Sequence, residues 1–221
     1  MTHFEELENI MGRLRAEDGC PWDIEQTHES LKICLMEETA EVLEAIDSCH
    51  DPLLLEELGD LLLQVVFHSQ IAKEENRFSL KDVVEGITQK LIRRHPHVFG
   101  ESNCKDADEV LNQWEAIKKT EKKDERKSVM DGIPNYLGAL HFAEKATKKA
   151  KKANLDISAT VVDSNLTKKL QQGRATTEDL TALLFQINNQ LIEKGAHAEE
   201  CLTRYTTEFV NKCRAEEQAG E

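Results

Sequence analysis

The chain predicts an all-α protein, and three observations carry that expectation. Apolar residues recur at intervals of three and four along successive segments, the spacing of a helix face. Aromatic residues make up 5% of the chain, prolines number four, and the alternating Val, Ile and Thr runs of a sandwich or barrel are scarce. Charged residues reach 32% against 39% apolar, the balance of a helical protein that lives in water. With 221 residues there is room for one full domain, or one domain and a smaller companion.

Residues 3–15 form the first expected helix, with Phe4, Leu7, Ile10, Met11 and Leu14 on one face and a stop at Asp18-Gly19. The segment GCPWDIEQTHESL reads as an ordered loop, because Pro21 restricts its backbone. Thr27 is placed to cap a helix beginning near His28, with Ser30 as the competing cap. Two roles stand open for Trp22 in this loop, a lid on a small core or a flat wall for a base or sugar.

Residues 31–72 organise the rest, as two helices joined by a turn at His50, Asp51 and Pro52. On the first, Leu31, Leu35, Val42 and Ile46 make the apolar stripe, while Glu37, Glu38, Glu41 and Glu44 form an acidic row. Glu38 falls at the edge of the stripe and is expected to be partly buried. On the second, LLLQVVF after Asp60 is apolar at nearly every angle, which predicts a helix enclosed on most sides. Glu57 and Asp60 stand one turn apart on it. An unpartnered carboxylate taken out of water costs several kcal/mol, so buried acids are paired or bound to metal. Two helices each offering two acids to a shared gap make an all-oxygen nest of the kind Mg²⁺ or Mn²⁺ occupies. The plainer alternative is a solvated acidic face paired to lysines, for which Lys32 and Lys73 are too few.

Beyond a turn at Glu74 to Arg77, Ser79 caps a helix expected from about Leu80 to Arg94, with Val83, Val84, Ile87 and Leu91 inward. Lys90, Arg93, Arg94 and His95 crowd its last turn before Pro96. Cations there offset the helix dipole, but Lys90 and Arg94, four apart, also suit a clamp on polyphosphate oxygens. His95 and His97 lack a third ligand nearby and read as structural. Residues 100–107 read as a mobile loop, followed to about Lys123 by a helix carrying Val110, Leu111, Trp114 and Ile117, with Lys118 one turn after Trp114. The charge run KKTEKKDERK then leads to the turn Asp131-Gly132-Ile133-Pro134, the expected boundary between domains 1–130 and 131–221.

A net charge of −14 repels nucleic-acid polymers and anionic membranes, whereas a free nucleotide remains a fitting ligand if metal ions or a basic cluster receive its phosphates. No stretch is long and apolar enough to cross a bilayer, and the N-terminus lacks the layout of a signal peptide, so the cytoplasm is the expected compartment. Six scattered cysteines without a CxxC pair predict reduced thiols, not a zinc site or disulfide framework.

Glu37-Glu38-x-x-Glu41 followed by Glu57-x-x-Asp60, together with the strings CPWDIEQT, GDLLLQVVFH, KLIRRHPHVF and WEAIKK in that order, resembles the MazG family of nucleoside triphosphate pyrophosphohydrolases. The resemblance covers residues 1 to about 157 closely and the remainder faintly. It implies a helical bundle of the all-α NTP pyrophosphatase type, with Mg²⁺, or Mn²⁺ in its place, on Glu38, Glu41, Glu57 and Asp60. Lys90, Arg94, Trp114 and Lys118 match positions that hold the triphosphate. The implied reaction is hydrolysis between the α and β phosphates to monophosphate and pyrophosphate, in a homodimer. Glu37 is the first candidate to accept the proton of the attacking water and Glu44 the second. Trp22 or Trp114 would pack on the nucleoside. The alternatives are a narrower diphosphatase for deoxy or modified nucleotides, a non-catalytic regulator that binds nucleotide or a protein, and a purely structural bundle.

The tail EDLTALLFQINNQLIEKGAHAEECLTRYTTEFVNKCR resembles a worn second copy of the family domain. Asp179-x-x-Ala182 stands for the ExxD pair, SNLTK at Ser164 to Lys168 for the EExxE region, and Glu208 for a phosphate-facing lysine. The expectation is a structural or dimer-forming second domain without metal.

Overall fold

The computed structural model describes residues 2–121, 128–155 and 166–219, and every regular element among them is a helix. The chain divides into two compact units, Met1–Lys118 and Lys119–Glu221.

In the first unit, α1 (His3–Leu14) opens on a capping box: the Thr2 hydroxyl accepts from Glu5 N, and the Glu5 carboxylate accepts from Thr2 N. Past its end the chain folds back so closely that a Cβ on Gly19 would lie 2.2 Å from the Leu14 carbonyl oxygen. Only glycine fits there, and Cys20 N then reaches that oxygen at 2.8 Å. The expected loop after it contains a short helix, α2 (Pro21–Glu25). Pro21 stands at its start, where a missing N–H costs nothing, so the residue read as restricting a loop instead opens a helix. Thr27 and Ser30 cap only a single turn, each side-chain oxygen accepting from the other's backbone N at 3.0–3.1 Å. The next helix, α3 (Lys32–Asp47), starts later than the expected position near His28.

α4 (Asp51–Glu74) returns along α3. The turn between them occupies residues 48–50, two earlier than expected. Cys49 takes a left-handed φ of 52°, and His50 Nδ1 caps α4 by accepting from Leu53 N at 3.1 Å. Asp51 and Pro52 already belong to the helix, the proline again in a first turn that needs no donor from it.

Met11, Leu31, Val66, Phe67, Ile71 and Leu80 make the buried core. The enclosure expected from the run after Asp60 holds for Gln64, Val66 and Phe67 but not for Val65, which is exposed; before Asp60, Leu55, 77% exposed, and Leu58 are uncovered. Elsewhere too, apolar positions expected inward face out. They are Phe4, Ile10 and Leu14 on α1, Leu35 and Ile46 on α3 where Ala45 takes the buried place, and Val84, Ile87 and Leu91 on α5 (Leu80–Arg94). Periodicity measures how wide an apolar face is, and a helix packed on one side covers only part of it. The ends of α5 fall where expected, its start fixed by the Ser79–Asp82 capping box. A short helix, α6 (Pro96–Phe99), follows; α7 (Ala107–Glu121) half-buries Val110, Trp114 and Ile117 but exposes Leu111. Residues 122–127 of the charge run lie outside the described residues.

In the second unit α8 (Ala139–Lys152) packs on α10 (Thr177–Glu193) and α11 (Ala198–Ala219), with α9 (Leu166–Gln171) preceding them. Buried Glu144 on α8 accepts from Lys148 Nζ at 2.5 Å and contacts His197 Nδ1 at 2.9 Å. Asp179 closes the capping box that starts α10 and accepts from Lys169 Nζ at 3.0 Å, so its carboxylate is committed to the helix start. Of SNLTK, Ser164 and Asn165 lie outside the described residues, and Leu166 onward belongs to α9; Glu208 is exposed on α11. All six cysteines are free thiols, and no helix among the described residues is long and apolar enough to cross a membrane.

Candidate functional site

The short α3–α4 turn aligns two helical pairs of acids. Glu38 and Glu41 stand one turn apart on α3, and Glu57 and Asp60 one turn apart on α4. One oxygen from each of Glu38, Glu41 and Glu57 lies within 4.8 Å of the others. Asp60 adds its charge to both Glu38 and Glu57. Glu38, Glu57 and Asp60 are half-buried, as expected for Glu38, while Glu41 is exposed.

The electrostatics are those of a crowd of like charges. Burial, then Asp60, then Glu41, a hydrogen bond with Glu41 and Glu57 raise the Glu38 carboxyl above the ordinary 4.5. Glu57 is raised by burial and then by Glu41, Glu56, Asp60 and Glu44. The two lysines of the hairpin donate to other acids, Lys32 to Glu29 at 2.7 Å and Lys73 to Glu8 at 2.9 Å. Such a set stands at a cost unless a cation compensates it, and an all-oxygen donor set suits a hard divalent ion. The residues therefore fit the ion that the acid motif suggests. Glu37 is exposed on the same turn of α3, and Glu44 is exposed with its charge felt at Glu57.

The expected triphosphate-holding residues fall in two groups. Arg94 is 7% exposed with its guanidinium 5.2 Å over the Trp114 ring, and His95 meets the same ring edge-on at 4.9 Å. Two residues expected to face the nucleotide thus face each other. Lys90 is exposed in the last turn of α5, and Lys118 Nζ lies 3.5 Å from Glu115. His95 Nδ1 bonds the Leu91 carbonyl at 2.7 Å and His97 Nδ1 bonds Gln113 Oε1 at 3.1 Å. Trp22 is 57% exposed, with one edge against Phe67 at 6.5 Å, so one ring serves the core and still offers a face outward. Sequence reasoning passed over Arg15 and the His28–His68 pair. Each joins residues at least 40 apart in the chain, which no local spacing announces.

The described residues thus define a helical protein in which acids from both arms of one hairpin meet in an all-oxygen nest. Residues 26–99, which contain both acid pairs, match the MazG nucleotide pyrophosphohydrolase domain. The chain is 40% identical to the nucleoside triphosphate pyrophosphohydrolase/pyrophosphatase MazG of Thermotoga maritima over 225 residues, spanning 99% of this chain and 87% of that one. It is 38% identical to the nucleoside triphosphate pyrophosphohydrolase of Escherichia coli K12 over 232 residues, spanning 99% and 88%. It is also 47% identical over 145 residues to the uncharacterized protein YabN of Bacillus subtilis, there spanning 66% of this chain and 30% of that protein. The chain belongs to the MazG family.

Proposed function

We propose that this chain hydrolyses nucleoside triphosphates between the α and β phosphates, releasing the monophosphate and pyrophosphate, with Mg²⁺ held by Glu38, Glu41, Glu57 and Asp60. The observation that carries this reading is the approach of three carboxylates to within 4.8 Å of one another, in a chain alike over 99% of its length to proteins named for that activity. When bound, Mg²⁺, or Mn²⁺ in its place, neutralises phosphate oxygens and makes a water nucleophilic at neutral pH.

The chain's own residues supply the rest. Glu37 accepts the proton of the attacking water, with Glu44 as the second candidate; both are acids outside the proposed ligand set. Lys90 and Lys118 offer charge to the departing pyrophosphate, while Arg94 braces Trp114 from beneath. Trp22 is then the ring free to pack on the nucleoside. The Phe67 on which it rests lies seven residues beyond Asp60 on the same face of α4, about 10 Å along the axis, a nucleotide's reach from the acids.

The uncovered apolar positions of α4 and α5, Leu55, Leu58, Val84, Ile87 and Leu91, are the surface a second copy would cover in a homodimer. The second unit serves as structure or interface, since Asp179 is occupied as a cap. The free nucleotide pool of the cytoplasm is the setting this substrate implies.

The test is a panel of canonical, deoxy and oxidised triphosphates with Mg²⁺, scoring monophosphate against diphosphate as product. A strong bias within the panel would mark a narrower diphosphatase. Glu38→Ala and Asp60→Ala are expected to abolish pyrophosphate release with the helical signal intact. Full turnover in either variant would end this reading.

A further inference from the structure

Arg15 follows α1, and its guanidinium binds two segments at once, the end of α4 and the end of α2. The side chain is only 8% exposed. Nε donates to the two Glu74 carboxylate oxygens at 3.0 and 3.1 Å, and Nη2 to one of them at 2.8 Å, at the end of α4. Nη1 donates to the backbone carbonyls of Asp23 and Gln26, the latter at 3.1 Å. The guanidinium carbon sits 5.5 Å over Phe67, the ring against which Trp22 rests.

α2 depends on such a hold. It has five residues, none of them buried, and an isolated helix of that length does not persist in water. Within the segment, the Asp23 carbonyl accepts from Gln26 N at 3.3 Å and the Trp22 carbonyl from Gln26 Nε2 at 2.9 Å; Arg15 adds a second bond to the Asp23 carbonyl and one to the Gln26 carbonyl just past the helix, and so ties α2 to the rest of the unit. Glu74 keeps the other side of the fork in place. Burial alone would raise its carboxyl, but the bonds from Arg15 and Gln70 and the Arg15 charge outweigh that and hold it below 4.5. A lysine cannot replace the fork, because one ammonium does not span a carboxylate and two carbonyls in this planar arrangement.

We propose that Arg15 is a positioning residue for the nucleoside: by tying α2 to the ends of α1 and α4, it fixes the pose in which Trp22 presents its exposed ring. This rests on the reading that Trp22 packs on the nucleoside. Arg15 itself touches no reacting atom, so its removal acts on KM through Trp22 and leaves kcat nearly as it was.

The test uses the full chain and a double-mutant cycle. Trp22→Ala is expected to raise KM about tenfold with kcat within about twofold, the scale of one lost base stack. Arg15→Lys is expected to raise KM by about threefold to tenfold, and the double variant no further than Trp22→Ala alone, because one stack cannot be lost twice. Separately, in a Trp114→Phe background where Trp22 is the remaining indole, Arg15→Lys is expected to shift the emission to the red before any nucleotide is added. If Trp22→Ala raises KM while Arg15→Lys leaves KM and emission unchanged, the inference is wrong and the nucleoside reading survives. Effects that multiply in the double variant overturn it likewise. An unchanged KM in Trp22→Ala removes the nucleoside reading and this inference with it. Should Arg15→Lys prove unfolded by its melting curve, Glu74→Ala carries the test: it removes the acceptor of the fork on α4 alone, and an unchanged KM there overturns the proposal.

Discussion

The Nδ1 atoms of His28 and His68 lie 2.7 Å apart, with the two rings stacked at 5.0 Å and inclined by only 8°. At that distance one ring donates and the other accepts. The Arg77 guanidinium donates to His28 Nε2, which leaves His28 Nδ1 as the donor and His68 Nδ1 as the acceptor. Burial, and then the His28 charge, lower the His68 pKa from 6.5. A depressed folded value gives stability that is present above the unfolded pKa and lost as pH falls through the folded one. The melting temperature is expected to drop as pH falls below 6.5, and His68→Gln to flatten that slope. Equal slopes in the two proteins would exclude the pair as the cause.

The acid nest has the opposite sign. Glu38 and Glu57 have raised pKa values, so their contribution is present below 4.5 and lost as pH rises through the folded values. Mg²⁺ at about a hundred times its Kd is expected to add about 2.7 kcal/mol, with the gain shrinking on acidification as protons compete for the same oxygens. Glu38→Gln with Glu57→Gln should stabilise the metal-free protein and remove the Mg²⁺ increment. Calorimetry that finds no Mg²⁺ effect on melting at any pH speaks against the nest.

Gly19→Ala forces a Cβ to within 2.2 Å of the Leu14 carbonyl oxygen, a contact relieved only by moving backbone. The expected loss is about 2 kcal/mol in urea unfolding. A variant as stable as the parent would mean that the chain after α1 has another path.

In the second unit, Glu144 is buried while Lys148 and His197 are about half in solvent. Burial alone would raise the Glu144 carboxyl, yet the bonds from Lys148 and His197 hold it below 4.5. Its stabilising effect is thus present above 4.5 and lost as pH falls through the folded value. Lys148→Ala with His197→Ala strands the carboxylate and is expected to cost about 3 kcal/mol, whereas Glu144→Gln, which carries no charge to strand, costs less. Chemical denaturation at neutral pH compares the two.

Asp179→Ala should cost about 1 kcal/mol by removing the carboxylate half of the capping box that starts α10, while the Thr176 cap remains, without loss of turnover. A divalent ion found at Asp179 in a soaked crystal would show that the second unit keeps a metal role after all.

The parts legible in the sequence were those whose cause is local. Ser79 and Asp82 announce the start of α5 three residues apart, and the acids of α3 and α4 lie at helical spacing. The turn at Cys49 was misplaced because Pro52 signals a break equally well from inside a first helical turn. Arg94 and Trp114 stand 20 residues apart, and only the fold shows that they stack on each other. Leu55 and Leu58 look like core by composition; which apolar faces a chain covers depends on neighbours that periodicity does not name.

The link of residues 48–50 has no slack in it. Were one residue deleted, α3 or α4 would have to surrender one of its own, rotating the acids it carries by about 100° and drawing them along by about 1.5 Å. Four carboxylates would fall out of step though none had been replaced. The three residues of the turn thus set the ionic register of the hairpin by their number, apart from what their side chains do.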